Sequence, residues 1–438
     1  MATSTAENLA GGVTGEQMAS HLADDPWVRV DASRFGARYI RGDQGPRAPF
    51  GRETFIRRFN FSFGSSGPFG QRTSLVLPQV PMQIQNAWIE VQFAGTGLGG
   101  PTTPAMPATP AWLGLGDGVT VDYKGNRVYN MTEPEAIMDH YRMTEDSEFL
   151  QQLKITNDFL LLTSRATNDS SGFPYLISMR PIATQIFQRV PPLDSFDPNS
   201  WQITVNLRSL AALAEGATTT AATVTVSRMS LILIGHKVSG EAASVQAGKL
   251  IDGLGFHYLD TSTRRETFAS GTSSLNVLFS DLQGNAADAH VLKRTASSWN
   301  STTPTSKNNL AFVTYNNSSD VWEVGTSGDN VEVYGQSISN RLIDLLLSDQ
   351  YPSQSRFIED PAATGVRVTG ITSFPFTENI SLDYNMGAST GFWPLKSKFR
   401  LGFTANSALS ADEYWDYCIR IQKWAVISNA GFVSNNSV

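Results

Sequence analysis

Cysteine, charged residues and long apolar runs are all scarce in this sequence. The 438 residues include one cysteine, Cys418, so no disulfide can form within the chain, and a reducing site of synthesis is expected. No window approaches the roughly 18 apolar residues that a membrane-spanning helix needs. The first residues, MATSTAENLAGG, have neither a basic start nor an apolar run, so no secretory signal peptide is expected.

Charge is low in amount and negative in sign. Charged residues make up 17% of the chain and the net charge is −7, whereas about a quarter of a typical soluble protein is charged. Phosphate binding needs a basic face, so sequence-specific nucleic-acid binding is not expected. Ser, Thr, Asn and Gly are abundant instead, which favours short strands joined by turns over helices rich in Lys and Glu.

The sequence also lacks the usual catalytic and metal-binding patterns. It has no Gly-x-Ser-x-Gly elbow and no P-loop, and the GLGDG stretch at 114–118 does not have dinucleotide-binding spacing. No two histidines lie at a spacing typical of a zinc or cupin site. The chain is therefore predicted not to be an enzyme, with no catalytic, cofactor-binding or metal-binding residues. The five histidines are His21, His140, His236, His257 and His290.

The remaining reactive side chains are interpreted as structural. Cys418 lies between Tyr417 and Ile419 in an alternating strand pattern, which is typical of a buried, unreactive thiol. Two carboxylate clusters could form a glycosidase pair or a calcium site, but Asp before Pro or Asn is usually a turn residue, and turns are the preferred interpretation. These clusters are Asp194 with Asp197, and Asp412 with Glu413.

The first 53 residues differ from the rest of the chain. They lack a periodic apolar pattern and place arginines between glycines and prolines, with no lysine before Lys124. This composition predicts an extended N-terminal arm laid on a surface; an ordinary disordered tail is the alternative. The arginines expected to make contacts from this arm are Arg29, Arg34, Arg38, Arg41, Arg47 and Arg52.

A short strand pattern occurs twice, 212 positions apart. GDGVTVDY begins at Gly116 and GDNVEVYG begins at Gly328, and each is followed by a stretch with helical spacing. The first helical stretch covers residues 132–165, with Thr132 as a plausible N-cap. The second is ISNRLIDLLLSD, at 338–349. The same order of strand and helix in both halves indicates an internal repeat.

Later strands support the repeat. WQITVNL and ATVTVSRMSLILIGHKV are echoed by SKFRLGFTANSAL and YWDYCIRIQKWAVISN at an offset of roughly 190–200 residues. YLISMRPIAT, at 175–184, is also predicted to be a strand. The fold class is therefore all-β, with two tandem eight-stranded jelly-roll β-sandwiches and short helical insertions. The first sandwich is predicted at 54–244 and the second at 245–438.

At these residues the chain resembles the double jelly-roll major capsid proteins of icosahedral DNA viruses. This lineage includes membrane-containing bacteriophages, adenovirus hexon and the nucleocytoplasmic large DNA viruses. The resemblance lies in VTVDYKGNRVYN, VEVYGQSISN, YLISMRPIATQIFQRVPPL and the terminal YWDYCIRIQKWAVISNAGFVSNN. It covers nearly the whole chain from about residue 55. The long arm and the absence of an intact Gly-Gly-Gln depart from the large-DNA-virus pattern, so a membrane-containing bacteriophage remains an equal alternative as the source.

The resemblance implies a structural subunit of a virion, made in the cytoplasm of a host cell. Three copies would form a capsomer with a nearly hexagonal outline that tiles an icosahedral shell over an internal membrane. Expected partners are neighbouring capsomers, penton and minor capsid or membrane proteins, and lipid in contact with the arm. The loops 95–110 and 295–308 would be towers or trimer contacts. The alternative is a receptor-binding spike or a carbohydrate-binding or hydrolytic β-sandwich.

Overall fold

The fold is known from a computed structural model. It describes residues 50–65, 67–96, 115–139, 174–209, 223–238, 247–248, 250–280, 282, 284–296, 320–327, 337–339, 342–343, 371–376, 393–395 and 398–436. Several features of the sequence lie outside these residues. They include Arg29, Arg34, Arg38, Arg41 and Arg47 of the arm, the GDNVEVYG stretch, and nearly all of the two long loops.

The first half of the chain forms two four-stranded antiparallel sheets. One has the order β1-β8-β3-β6 and the other the order β2-β7-β4-β5. Between β5 and β6 the chain forms a short helix, α1, at Glu133–Met138. The strands are β1 Phe50–Asn60, β2 Arg72–Val76, β3 Met82–Thr96, β4 Leu115–Tyr123, β5 Asn126–Met131, β6 Pro174–Ser178, β7 Trp201–Leu207 and β8 Thr223–Val238.

The second half also forms two antiparallel sheets. In one, β9 pairs with β17, which pairs with β11, and β11 pairs with β14; the other has the order β10-β16-β12-β13. A short β15 pairs with β11, and β18 pairs with the end of β17. The strands are β9 Leu254–Phe268, β10 Ser274–Phe279, β11 Gly284–Thr295, β12 Val321–Ser327, β13 Ile338–Ser339, β14 Ile371–Pro375, β15 Trp393–Leu395, β16 Lys398–Thr404, β17 Glu413–Ser428 and β18 Gly431–Asn436.

The two halves share one topology. If β15 and β18 are set aside, the second half repeats the first strand for strand: β9-β17-β11-β14 matches β1-β8-β3-β6, and β10-β16-β12-β13 matches β2-β7-β4-β5. This connectivity of eight strands in two facing sheets is that of a jelly roll. The prediction of an all-β fold with two tandem jelly rolls is confirmed, whereas the domain boundaries remain predictions.

The short motif that suggested the repeat does not mark equivalent strands. GDGVTVDY lies in β4, but the strand at the same topological position in the second half is β12, which ends at Ser327, before Gly328. The longer strands give the correct alignment: β7 matches β16, and β8 matches β17. Six residues are too few to fix a register, whereas β8 and β17 are both 16 residues long.

Alternating apolar side chains build a core in each half. In β7, Ile203, Val205 and Leu207 are buried, as alternation predicts. The second core is rich in aromatic residues: the Trp322 and Trp415 rings lie 5.7 Å apart, in the range of favourable aromatic contacts.

Gly118 in β4 occupies a position that requires glycine. The register between β4 and β7 shifts at Gly118, whose φ is +97°. A Cβ there would lie 1.9 Å from the carbonyl oxygen of Met131, so the strand irregularity depends on this residue.

Helical segments differ partly from the prediction. Thr132 is the N-cap of α1, because its hydroxyl accepts a hydrogen bond from the Glu135 amide at 3.4 Å. The rest of the predicted helical stretch lies outside the described residues. YLISMRPIAT is only half a strand: β6 ends at Ser178, and the chain continues as a helix, α2, at Arg180–Ile182 and a π-helical segment at Ala183–Phe187. There Ile182, Ile186 and Phe187 enter the core.

The first strand begins earlier than the predicted first domain. β1 starts at Phe50 and pairs with β8. Arg52 is therefore part of this strand, although its side chain lies outside the described residues.

Candidate functional site: the contact between the two sandwiches

Helix α1 of the first half lies against a sheet of the second half. Its residues Ala136, Ile137 and Met138 share one buried apolar cluster with Leu292 of β11 and Cys418 of β17. Leu292 and Cys418 point away from the core of their own sandwich, because their neighbours Val291 and Ile419 fill that core. Helix α1 thus covers the outer face of the β9–β17–β11 sheet.

Buried ion pairs cross this contact. Glu133, at the start of α1, accepts a hydrogen bond from Arg294 Nη1 at 2.9 Å, and a second arginine, Arg208, also bonds to its carboxylate. Arg294 Nη2 lies 3.3 Å from Asp416, which Arg265 binds through two nitrogens at 2.6 and 2.9 Å. Glu133, Arg294 and Asp416 are all at least 97% buried, so each charge depends on its partners.

A buried carboxyl group lies beside the network. Tyr129 and Thr261 both donate hydrogen bonds to Glu135 Oε1, the latter at 2.9 Å. Burial raises the pKa of Glu135 to about 8, although these two hydrogen bonds lower it in part. Burial also raises the pKa of Tyr129 well above its usual value. Glu135 is therefore largely protonated at neutral pH and joins β5, α1 and β9 without a net charge.

A second group of contacts ties the ends of β9, β17 and β18 to the first half. Tyr123 Oη donates to the Ser428 carbonyl at 3.0 Å, and Leu259 N donates to Gln185 Oε1 at 2.8 Å. Besides Leu292 and Cys418, six residues of the second half belong to the apolar cluster of the first: Leu250, Phe256, Tyr258, Ala425, Ile427 and Phe432. The contact thus combines apolar burial with directional hydrogen bonds, which together fix how the sandwiches sit on each other.

A polar cleft of about 290 Å³ opens where the two halves meet. Both halves contribute charged groups to it, and several are already paired with one another in the network above. The charged residues that line it are Asp117, Glu133, Arg208, Arg264, Arg265 and Asp416. Opposite charges are present in equal number, so the cleft does not select for an anionic or a cationic ligand.

Ser373, His290 and Asp288 form a chain that resembles a catalytic triad. His290 Nδ1 lies 2.8 Å from Ser373 Oγ, and its Nε2 lies 3.1 Å from Asp288 Oδ2. However, these side chains are at least 98% buried, so substrate cannot reach the hydroxyl. Burial alone would raise the pKa of Asp288, but Arg420 and then His290 hold it below its usual value. These side chains form a buried structural network in which Arg420 binds the Asp288 carboxylate.

Sequence reasoning did not find the buried charges of β11. Lys293 is 97% buried, with its ammonium 4.2 Å from the centre of the Phe403 ring and 4.3 Å from that of Trp415. Burial lowers the pKa of Lys293 to about 7. In GNAADAHVLKRT no spacing signal separates such a lysine from an exposed one, because the burial comes from strands distant in sequence.

The other reactive groups have the following positions. Cys418 is buried as expected, and burial raises the pKa of its thiol well above the usual value. Asp194 lies in a 3₁₀ turn, and Asp197 pairs with Lys124. Asp412 accepts a hydrogen bond from the Ser270 amide at 2.8 Å.

The described residues contain no group of three or more His, Cys, Asp or Glu side chains arranged to hold a metal ion. None of the helices among them has the length and apolarity needed to cross a membrane.

Comparison with known proteins places the fold. No protein-family model matches the sequence, and no curated protein matches it significantly. Solved structures do match over most of the chain. The PBCV-1 virus capsid matches with a TM-score of 0.59 and 13% identity over 88% of this chain and 97% of that chain. The chain has a double jelly-roll fold.

Two further double jelly-roll structures are similar over nearly their whole length. The Faustovirus major capsid protein has a TM-score of 0.57 and 10% identity, covering 94% of this chain and 98% of that chain. The mavirus major capsid protein has a TM-score of 0.52 and 9% identity, covering 91% and 93%. At such identities the likeness concerns the fold, and it covers 88–94% of this chain.

The buried network predicts a large effect for one substitution. Arg294→Met should lower the free energy of unfolding by about 3 kcal/mol, because it leaves Glu133 and Asp416 buried with fewer partners. Urea unfolding measures this loss. The matched control is Arg127→Met, which removes the more exposed pair with Asp122 and should change the stability by less than about 1 kcal/mol. Equal effects of the two variants would contradict the role assigned to Arg294.

The raised pKa of Glu135 predicts that the stability of the protein depends on pH. Its folded pKa is raised to about 8, so the folded protein binds the proton more tightly, and its contribution is lost as pH rises from about 4.5 to above 8. Glu135→Gln should remove this dependence. The free energy of unfolding of the variant, relative to that of wild type, should rise by on the order of 3 kcal/mol from pH 5 to pH 9. Urea unfolding at each pH measures this difference. Parallel stability profiles for the two proteins would show that Glu135 does not carry the effect.

Proposed function

We propose that this chain is the major capsid protein of an icosahedral virus. The observation that carries the proposal is the duplicated jelly roll, in which two sandwiches with one topology are fixed to each other by a buried contact. The fold is shared with major capsid proteins over at least 88% of this chain. The function is then structural, and no catalytic step is assigned to the chain.

A rigid pair of equivalent sandwiches suits a threefold building block. Three copies around an axis present six sandwiches of one topology, so the assembly has a nearly hexagonal outline although its true symmetry is threefold. Hexagonal outlines tile a surface, and a closed shell follows when fivefold positions are filled by other proteins. The buried ion pairs between the sandwiches support this role, because a subunit that tiles a shell must keep a fixed orientation between its two sandwiches.

The remaining partners belong to the same proposal. Synthesis in a host cytoplasm agrees with a single, buried cysteine. The arm of residues 1–53, whose last four residues belong to β1, would run beneath the shell up to that strand. There Arg29, Arg34, Arg38, Arg41, Arg47 and Arg52 could bind carboxylates of neighbouring capsomers or lipid phosphates of an internal membrane. Penton and minor capsid or membrane proteins would complete the particle.

The proposal predicts the size of the purified protein. The full chain, of 47.7 kDa, should sediment as a trimer of about three times that mass or as shell-like particles. Analytical ultracentrifugation and negative-stain electron microscopy measure this. A stable monomer that binds an oligosaccharide column would instead favour a carbohydrate-binding sandwich or a receptor-binding spike.

The role proposed for the arm predicts that its arginines bind the protein to anionic membranes. Replacing Arg29, Arg34, Arg38, Arg41, Arg47 and Arg52 by glutamine should abolish flotation of the trimer with anionic phosphatidylserine vesicles, since each basic residue near such a surface contributes about 1 kcal/mol. Zwitterionic phosphatidylcholine vesicles serve as the control surface. Equal flotation of wild type and variant would remove lipid from the partners of the arm, without affecting the capsid proposal.

A further inference from the structure

The outer face of the β1-β8-β3-β6 sheet carries several isoleucines beside the ion pairs of Glu90 with Arg58 and Arg228. In β8, Leu231 and Leu233 point into the core, so the intervening Ile232 and Ile234 lie on the outside. Ile56 of β1, opposite Ile234, is 64% exposed. A sheet that faces water on one side normally has polar residues there. The isoleucines of this face therefore suit contact with another apolar element better than contact with water.

The equivalent face of the second sandwich is covered within the same chain. Placing the 16 residues of β8 on the 16 of β17 matches Ser230 with Arg420. Their strand neighbours then match as well: Glu90 corresponds to Asp288, and Asn60 corresponds to Thr261.

One matched pair of positions shares its chemistry. Glu90 and Asp288 are both buried carboxylates bound by arginine, Glu90 by Arg58 and Arg228 and Asp288 by Arg420. In the second sandwich, helix α1 lies on this face. In the first, the Arg58 side chain is 45% exposed and Ile56 is 64% exposed, so part of this face is accessible within the described residues.

The second half repeats the start of the covering helix. After β5, Thr132 accepts a hydrogen bond from the amide of Glu135, three residues further on. Ser339, the last residue of β13, likewise accepts a hydrogen bond through Oγ from the amide of Leu342, also three residues further on, at 3.3 Å. Leu342 thus corresponds to Glu135, which contacts Thr261 across the sandwich contact. Leu342 is 44% exposed, although residues 342–343 begin the same kind of capped helical turn.

We propose that this helical turn docks on the outer face of the β1-β8-β3-β6 sheet of a second copy of the chain. By the equivalence above, Leu342 of one copy would lie over Asn60 of the next, with Ile232 and Ile56 further along the same face. An apolar side chain then stands where Glu135 stands in the contact within the chain, so this contact would draw on the isoleucines of the receiving face rather than on a buried carboxyl group. This inference rests on the proposed trimer and names the surfaces that would form it.

The geometry of the contact within the chain explains why the assembly would close. If the contact between copies repeats the contact between the two halves, each step relates one sandwich to the next by the same rotation. The two surfaces that meet are different, so the interface is heterologous, and such interfaces produce rings when the rotation closes. A ring of six sandwiches has six such contacts, and because each chain supplies two sandwiches, the ring needs three copies.

Two substitutions test the surfaces separately. Ile56→Asp on the sheet and Leu342→Asp on the turn should each raise the dissociation constant of the full-length trimer at least about tenfold, because each places a charge in an apolar contact. Sedimentation over a dilution series measures this. Val76→Asp is the matched control, since Val76 is 45% exposed on β2 of the other sheet. Circular dichroism should show that all three variants are folded.

Cross-linking tests the predicted neighbour directly. The double variant Asn60→Cys with Leu342→Cys, treated with a short bismaleimide, should give covalent dimers and trimers on a denaturing gel. Cys418 is buried, so it should contribute little background. The control pair, Val76→Cys with Leu342→Cys, should remain monomeric on the gel.

The outcomes separate this inference from the proposed function. A wild-type trimer that neither aspartate variant weakens, and that the 60–342 pair does not cross-link, would overturn the docking surface while leaving the capsid proposal intact. A wild-type chain that remains monomeric at all concentrations would overturn both. Loss of the trimer in both aspartate variants together with the 60–342 cross-link would support the proposed docking.

Discussion

The architecture depends on a carboxylate–guanidinium network buried between the two sandwiches. Glu133, Arg294 and Asp416 lie out of water at the point where α1 meets the second sheet. A buried charge is strongly unfavourable without its partner, so the network tolerates one relative orientation of the sandwiches and few others. Apolar burial alone would permit sliding, because it has no direction. The ion pairs therefore give the double sandwich the rigidity that a building block needs.

A short helical insertion makes this arrangement possible. Helix α1 follows β5 directly, capped by Thr132, and its first turn carries the two acidic residues that cross to the second half. The helix is only six residues long, too short to be stable alone, so its stability comes from packing on the sheet that it covers. An insertion within the first sandwich, between β5 and β6, thus forms the surface on which the second sandwich rests.

The two halves have kept one topology while their equivalent surfaces have diverged. Glu90 and Asp288 occupy matching positions and both bind arginine, yet the second is fully buried with His290 and Arg420. Duplication conserves strand order because every strand pair must be satisfied in both copies. It does not conserve surface chemistry, since each copy meets a different neighbour. A triad-like set such as Ser373, His290 and Asp288 can arise in such a buried region without any catalytic role.

The sequence by itself determined the all-β class, the duplication and the cap at Thr132, because alternation and capping are local patterns that a single strand or turn expresses. It also indicated the buried position of Cys418. Only the tertiary structure decided that β12 occupies in the second half the position that β4 occupies in the first, and that the YLISMRPIAT stretch turns helical after Ser178. The burial of Glu133, Lys293 and Asp416 was likewise not indicated by the sequence. This burial depends in part on residues more than a hundred positions away, and no local pattern shows which distant strand will cover a side chain.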